Sequence, residues 1–432
     1  MSHGGRLRRL GLAGLVVFAG AGTAAVRSQN ATPQFRAGVD LVRVEVQIVD
    51  SNGAPVAGIP ASSFDVRIDG RRRRVTSADF VRDTTVSSSS VRGSAGAGPT
   101  ARNIWPDESG AAGRTFVLAF DESTLSSGDG ARAINAGREF IDKLSSNDAV
   151  GVVGLPRGVV QSPTRERRAV NAALSKIGGH SSMSANAFHL SASEVFDITV
   201  DVDQAQNAAL TAGRGAAGRG LVVAPQSVLQ QVQARECRSG TDAMCLAQLV
   251  IEAESQARDM EERVFETFSG LDRLLNILGE FPGRKTVVLV SVGMPVGDRW
   301  LQDGGVIRDL GRAAAIASSS VYAIHIDTGY REVHSAEART SRPSFSPGRE
   351  RDIQQRLLAD FAVTSGGALF SAPTDSGQSG LSRVLLETSG VYVLGVVPEP
   401  RDLDGKPHEL KVNVSQKGVT LRNLRYVVLR RN

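Results

Sequence analysis

Continuous apolar runs alternate with amphipathic helical patterns through the middle of the chain. Four such runs lie at 115–120, 149–155, 285–292 and 320–326. Runs without polar interruption are typical of strands that are buried on both faces of a parallel sheet. Apolar residues at helical spacing occupy the stretches 130–144, 165–177, 245–278 and 306–318. This alternation predicts an α/β fold with a doubly wound, mostly parallel, Rossmann-like sheet flanked by helices.

Alternation of apolar and polar residues marks the two ends of the chain. It predicts N-terminal strands at 39–50, 64–69 and 74–80. After a last helix, it predicts C-terminal strands at 391–397, 409–414 and 419–428. Each set holds too few strands to be stable alone. We therefore expect the N- and C-terminal strands to pair and to form one smaller β-domain.

Composition divides the chain into five consecutive parts. They are a signal peptide at 1–29, an N-terminal β-module at 36–83, a flexible Ser/Gly/Ala-rich linker at 84–114, the α/β domain at 115–377, and a C-terminal helix with strands at 378–432. Within the α/β domain, residues 178–244 are rich in Ser, Ala, Gly and Gln. This insertion interrupts the alternation of strands and helices.

The first segment predicts export. Arg6, Arg8 and Arg9 precede 16 small or apolar residues at 10–25. This run is short for a transmembrane helix, which needs about 20 apolar residues, and it has the regions of a secretory signal. An uncleaved N-terminal anchor is the alternative. No comparable run follows, so we expect a periplasmic or extracellular mature chain without a transmembrane segment.

The charge of the chain does not favour a nucleic-acid partner. There are 50 Lys and Arg against 45 Asp and Glu, which gives a formal net charge of +5. A nucleic-acid binder usually clusters its basic residues, whereas here they are dispersed. The only run lies at 71–74, next to a turn signal at Gly70. We expect this run to be the solvated end of a hairpin.

The strongest candidate for chemistry follows the first apolar run. Asp121 and Ser123 begin a loop rich in hydroxyl side chains, DESTLSS, at the carboxyl end of the predicted strand. Ligand sites of open α/β sheets lie at such strand ends, and a carboxylate with hydroxyls suits a hard cation such as Mg²⁺. The alternative is an ordinary loop whose Ser and Asp residues cap the next helix.

The same segment, FVLAFDESTLSSG, resembles the start of a von Willebrand factor type A (VWA) domain, whose metal-ion-dependent adhesion motif is Asp-x-Ser-x-Ser. The stretches 39–70, 281–295 and 390–414 are similar to the VWFA-related domain family first described from Acidobacteria. The resemblance covers nearly all of the mature chain. It implies a VWA-like sheet in a bacterial protein, and it implies architecture much more than activity. We expect this protein to bind a protein or a surface polymer of the cell envelope.

The adhesion motif is only partly present. Asp121 and Ser123 match its first two ligands, but Leu125 stands at its third position and offers no oxygen. Ser126 or Ser127 could substitute if the loop shifts, and the resemblance places a second-loop hydroxyl near Ser182.

The third loop of the motif, at 291–293, lacks the usual Asp. The resemblance therefore implies a degenerate site that holds Mg²⁺ or Ca²⁺ weakly, and no other cofactor. Its candidate ligands are Asp121, Ser123, Ser126 and Ser182.

Motifs of catalysis are largely missing from the sequence. No Gly-x-Ser-x-Gly, His-Glu-x-x-His, Ser-x-x-Lys or Gly-x-x-x-x-Gly-Lys motif is present. A Gly-x-Gly-x-x-Gly match at 213–218 lacks the strand and helix that a dinucleotide site requires. His325 and Asp327 are close in sequence, which more often indicates a loop hydrogen bond than an acid/base couple. We expect a binding protein without catalysis. The alternatives are a hydrolase with its site in 178–244, or a purely structural envelope protein.

The cysteines suggest one disulfide. Cys237 and Cys245 are the only two in the chain and lie eight positions apart. In an exported protein, such a pair is expected to be oxidised.

Overall fold

The computed structural model describes residues 41–82, 113–181, 186–211, 227–237, 242–328, 346–373 and 377–430. The predicted signal peptide at 1–29, nearly all of the predicted linker and the glycine motif at 213–218 lie outside these residues. The described residues form a mixed α/β fold that contains a six-stranded sheet and two four-stranded sheets.

The elements have the following bounds. The strands are β1 (Val42–Val49), β2 (Phe64–Ile68), β3 (Arg71–Arg73), β4 (Val75–Arg82), β5 (Thr115–Asp121), β6 (Ala149–Leu155), β7 (Gly158–Thr164), β8 (Lys285–Ser291), β9 (Ser319–Ile326), β10 (Leu369–Ala372), β11 (Gly390–Val396), β12 (Asp404–Val414), β13 (Thr420–Arg422) and β14 (Tyr426–Arg430). The α-helices are α1 (Ser127–Asp142), α2 (Arg167–Leu174), α3 (Ala192–Thr211), α4 (Val228–Glu236), α5 (Ala243–Leu278), α6 (Asp298–Asp303), α7 (Gly305–Ile316), α8 (Pro347–Thr364) and α9 (Gln378–Glu387).

The six-stranded sheet is mostly parallel and has the order β10-β9-β8-β5-β6-β7. Only β7 runs antiparallel to its neighbour. Strand β7 was not predicted, because its residues GVVQSPT are half polar and include Pro163. Proline is tolerated on an edge strand such as this one. From β5 the chain continues to β6 on one side, and it later returns as β8 on the other, so the strand order reverses beside β5.

Helices cover both faces of this sheet, as the apolar runs predicted. Phe116, Leu118 and Phe120 of β5 are buried in a core with α1, α2 and α9. Val117 and Ala119 are buried in a second core with α5, α7 and α8. Burial on both sides is the physical reason that the residues of β5 between Thr115 and Asp121 are all apolar.

The two ends of the chain pair with each other in two antiparallel sheets, β13-β1-β11-β4 and β14-β12-β2-β3. The N-terminal β1 lies between β11 and β13, and β2 lies beside β12. One apolar core receives buried side chains from both ends, among them Val46, Phe64, Tyr392 and Leu410. We call these two sheets and their shared core the β-domain.

The expectation of a fully solvated arginine run at 71–74 is wrong for Arg73. Its side chain is only 3% exposed, whereas Arg71, Arg72 and Arg74 are exposed. The alternation of β3 turns Arg73 inward, where its Nε and Nη2 donate to the two carboxylate oxygens of Asp402, each at 2.7 Å. This ion pair joins an N-terminal strand to the segment that precedes β12.

The described residues of the insertion are largely helical. Helices α3 and α4 pack against the first half of α5 around apolar side chains such as Phe196, Leu229 and Leu249. A disulfide joins Cys237 at the end of α4 to Cys245 in the first turn of α5, with the two Cα atoms 6.0 Å apart. Oxidation of the pair in exported protein stays a prediction. In the described parts of the chain, no helix is both long and apolar enough to span a membrane.

Candidate functional site

Asp121 is the last residue of β5, and its side chain is completely buried. Hydroxyl groups from three different elements donate to its carboxylate. Ser123 Oγ lies 2.6 Å from Oδ1, and Thr267 Oγ1 of α5 lies 3.2 Å from the same oxygen. Ser291 Oγ, at the end of β8, lies 2.8 Å from Oδ2. The site therefore sits at the carboxyl ends of β5 and β8, where the strand order reverses and open α/β sheets bind ligands.

The charge of Asp121 is not neutralised by a basic side chain. No ion pair to it is present among the described residues, in contrast to buried Asp148 and Asp402, which pair with arginines. Burial raises the pKa of the Asp121 carboxyl, and the hydroxyl hydrogen bonds only partly offset this effect. Such a carboxylate costs stability, and groups of this kind cluster at functional sites.

A second set of hydrogen bonds ties the loop after β5 to the loop after β8. Thr124 Oγ1 lies 3.3 Å from Ser291 Oγ and accepts a hydrogen bond from the backbone N–H of Val292 at 3.3 Å. The hydroxyl of Ser291 also accepts from the N–H of Gly293 at 3.1 Å. The hydroxyls around Asp121 thus belong to one network that fixes both loops.

The loop at 178–181 is held against the first loop by Glu122. The Glu122 side chain accepts a hydrogen bond from the N–H of Gly178, and its carbonyl accepts one from the N–H of His180, each at 2.8 Å. The N–H of Ser181 donates to the carbonyl of Leu125 at 3.0 Å. These contacts place Ser181 at the same edge as Asp121.

The structure brings together only part of the predicted ligand set. Asp121 and Ser123 are in contact, but the Ser126 hydroxyl donates to Asp129 Oδ2 at 2.6 Å and caps α1. Leu125 is fully buried in the core beneath α1, so a shift of the loop would expose it. Ser182 lies outside the described residues.

Two hydroxyls that contact Asp121 were not predicted as ligands. Ser291 lies in the loop that lacks the usual Asp. Its position at the end of the predicted strand could have identified it as a contact of Asp121. Thr267 lies in the middle of a 36-residue helix, where nothing in the sequence pattern distinguishes it from other polar positions.

A cavity of about 230 Å³ opens over this network. It is bounded by the loops after β5 and β8, by α5 and by α8. Its polar lining residues are Ser123, Thr124, Ser181, Asn186, Gln256, Arg263 and Gln354. The remaining wall is mainly apolar, with Leu190, Met260, Val264, Val292 and Pro295. The cavity therefore offers hydroxyl, amide and guanidinium groups to a ligand that approaches the edge of the sheet.

These residues fit a tightly bound divalent cation poorly. Ca²⁺ takes six to eight oxygen ligands, and high affinity depends on several carboxylates. Here Asp121 is the one carboxylate in the network, and both of its oxygens already accept hydroxyl hydrogen bonds. No group of three or more His, Cys, Asp or Glu residues that could hold a metal ion occurs among the described residues.

His325 and Asp327 do not form an acid/base couple with a nucleophile in the described structure. Burial lowers the pKa of His325 to about 4, so its ring is neutral at neutral pH. Its Nδ1 lies 3.0 Å from Nε2 of Gln355, and Asp327 accepts a hydrogen bond from Arg351 at 2.9 Å.

Comparison with known proteins does not assign a family. No family model matches the chain, and no curated protein matches it. Among solved structures, the conserved hypothetical protein BatB from Bacteroides thetaiotaomicron is similar with a TM-score of 0.29 and 11% identity, over 64% of this chain and 98% of that one. An aerotolerance-related membrane protein from Bacteroides fragilis gives 0.29 and 10%, over 63% and 98%. Human COPII-coat protein Sec24c gives 0.27 and 8%, over 74% and 44%. Likenesses this low carry no argument about function.

Proposed function

We propose that this chain is an exported VWA-like protein that binds a protein or surface polymer of the cell envelope, without catalysis. The partner docks at the carboxyl edge of the six-stranded sheet. The observation that carries the proposal is Asp121, a buried carboxylate whose partners among the described side chains are hydroxyls, beneath an open cavity. Buried ionisable groups without a basic partner are enriched at functional sites, which favours a binding site at this edge.

The strand order supports the VWA-like assignment. The sheet β10-β9-β8-β5-β6-β7 is mostly parallel, has helices on both faces and ends in an antiparallel edge strand, and these features support the proposed doubly wound arrangement. The partial adhesion motif, Asp121 and Ser123, lies at the reversal point of this order.

The alternatives receive less support. In the described part of the insertion, acidic groups are engaged in ion pairs, such as Glu194 with Arg235 and Asp197 with Arg349. Such pairs hold the helices together, and this structural use of the acidic groups favours a binding protein over a hydrolase. A purely structural role does not account for the cavity above Asp121.

Blocking the cavity should abolish partner binding. Ser181 is exposed and lines the cavity, so Ser181→Trp places an indole in its mouth. We expect C-terminally tagged wild-type protein to retain a reproducible partner from native envelope extract, and the variant to retain at least about tenfold less. The matched control is Ser415→Trp at an exposed position directly after β12, which should bind like wild type. Equal retention by all three proteins would refute a partner site at this edge.

Divalent cations should stabilise the protein only weakly. Because one carboxylate serves the site, we expect half-maximal thermal stabilisation by Mg²⁺, Mn²⁺ or Ca²⁺ on the order of 1 mM, or none. Asp121→Asn keeps the shape of the side chain and should remove any response. Melting temperature against cation concentration is the measurement. Stabilisation of the wild type at micromolar concentrations would mean that the site is a competent metal centre.

A further inference from the structure

We propose that His408 works as a pH-sensitive clasp in the β-domain. With a proton on both ring nitrogens, it holds the turn between β2 and β3 against the first residues of β12, and loss of one proton releases one of these contacts. The clasp consists of Asp69, Asp404 and His408. It belongs to the β-domain, and its action is independent of the partner site proposed above.

Asp69 and Gly70 form the two-residue turn between β2 and β3. Both have a positive φ, 48° and 76°, as an Asp-Gly hairpin turn of type I′ requires. Ile68 and Arg71 pair directly across this turn. The carboxylate of Asp69 lies beside β12, where its Oδ1 accepts a hydrogen bond from the N–H of Glu409 at 2.9 Å. The local sequence therefore places a negative charge at the side of β12.

The ring of His408 lies between two carboxylates. Its Nδ1 is 2.8 Å from Oδ2 of Asp69, and its Nε2 is 2.9 Å from Oδ1 of Asp404. Ionised carboxylates only accept hydrogen bonds, so each ring nitrogen must carry a proton to donate to its neighbour. A neutral imidazole has only one N–H. The two contacts together therefore require the imidazolium form.

The surroundings of the ring favour this charged form. Burial alone would lower the pKa of His408, but the hydrogen bonds and negative charges of Asp69 and Asp404 outweigh it and raise the pKa above 6.5. The pKa of Asp404 is lowered, first by the N–H of Lys406 and then by His408, so this partner is ionised where His408 titrates. The charged side chains on the elements around the ring are Asp69 of the turn, Arg71 and Arg73 of β3, Glu399 and Asp402 before β12, Asp404, Lys406 and Glu409 of β12, and Arg430 of β14.

Loss of a proton forces one contact of the clasp to open. The deprotonated ring nitrogen presents a lone pair to a carboxylate oxygen, and the two repel each other. The side chains of Asp69 and Asp404 are 51% and 40% exposed, whereas that of His408 is only 12% exposed. A released carboxylate can therefore turn into water while the ring stays in place.

The clasp should stabilise the protein in acid and neutral solution but not in base. A group whose pKa is raised on folding contributes stability that is complete below its unfolded pKa, near 6.5, and is lost as the pH rises through the folded pKa. The pair of Arg73 and Asp402 has the opposite dependence, because the pKa of Asp402 is lowered. These two contacts of the β-domain thus open at opposite ends of the pH range.

The titration of His408 tests its protonation directly. The full chain is labelled with ¹⁵N at the histidine rings, and the signal that is lost in His408→Gln identifies the residue. We expect both ring nitrogens to be protonated at pH 6, with a midpoint of titration above 6.5. Asp69→Asn and Asp404→Asn should each lower the midpoint, because each removes a negative charge. The matched control is Asp309→Asn on α7, where the aspartate is 64% exposed, and it should leave the midpoint unchanged.

Hydrogen exchange tests whether the clasp holds the turn. The reporter is the backbone N–H of Asp69, which donates to the carbonyl of Glu409 at 2.9 Å. At pH 6, His408→Gln should exchange this hydrogen at least about threefold faster than the wild type, a modest factor because exposed ion pairs are weak. About two pH units above the midpoint, the two proteins should exchange it at the same rate, because the wild type has then lost its proton. Comparison at equal pH cancels the intrinsic effect of pH on exchange.

Three results would overturn the proposal. They are a midpoint at or below 6.5, a midpoint that neither aspartate variant lowers, and equal exchange of the Asp69 N–H in wild type and His408→Gln at pH 6. Titration of the wild type alone already decides the first of them, so a variant that failed to fold would not protect the proposal.

Discussion

Replacing Tyr392 with alanine is expected to lower the free energy of unfolding by about 3–5 kcal/mol. Tyr392 lies in β11 and is only 1% exposed. Its ring packs against Phe64 and Phe80, with ring centroids 5.6 and 5.1 Å away, and its hydroxyl accepts a hydrogen bond from the N–H of Ile59 at 2.9 Å. One C-terminal side chain thus fills the core that the N-terminal strands surround, and its removal leaves a cavity there.

The matched control is Tyr392→Phe, which keeps the ring and removes only the hydrogen-bond acceptor. It should cost about 1–2 kcal/mol, because the N–H of Ile59 then lacks its partner. Urea unfolding followed by circular dichroism measures both variants. If alanine costs no more than phenylalanine, the two ends of the chain do not share the core described here.

The second large effect is expected from replacing Asp402 with alanine. This substitution should lower the free energy of unfolding by about 3–5 kcal/mol. The substitution removes the carboxylate that accepts two hydrogen bonds of 2.7 Å from the buried guanidinium of Arg73, and it leaves Arg73 the ion pair with Glu399, whose side chain is 39% exposed. Burying an incompletely paired charge costs far more than an exposed ion pair contributes. The control is Asp309→Ala, since Asp309 is 64% exposed in its pairs with Arg308 and Arg312 and should cost less than about 1 kcal/mol.

The effect of Asp402 should depend on pH. Burial raises the pKa of its carboxyl, but the hydrogen bonds and the charge of Arg73 outweigh burial and hold the pKa below its usual value. A carboxyl with a depressed pKa in the folded state stabilises the protein above its unfolded pKa, and this stability is lost as the pH falls through the folded pKa. The difference in free energy of unfolding between wild type and Asp402→Ala should therefore have its full size at pH 7 and become smaller in acid. A difference that does not change with pH would contradict an ionised pair.

The sequence predicted the fold wherever burial alone fixes the residue pattern. The run at β5 indicated a strand buried on two faces, and the alternation in β1 and β11 indicated strands with one buried face. The inward Arg73 was missed because its partner Asp402 lies 329 positions away. A local pattern shows a charge run, but only tertiary contact shows which member of the run is paired.

The candidate site was predictable at one strand only. Asp121 and Ser123 are adjacent to a recognisable strand end, so position alone identified them. Thr267 reaches the same carboxylate from 146 positions away, because α5 crosses the face of the sheet there. Arg263 was missed for the same reason, since its place in the cavity follows from the packing of α5.

The most direct test of the binding site is retention of the envelope partner in excess EDTA by the wild type and by Ser181→Trp. If the partner binds at the cavity without a tightly held metal ion, the wild type should keep its partner in EDTA. Ser181→Trp should retain at least about tenfold less partner, with or without EDTA. Release of the partner from the wild type by EDTA, or full retention by Ser181→Trp, would contradict it.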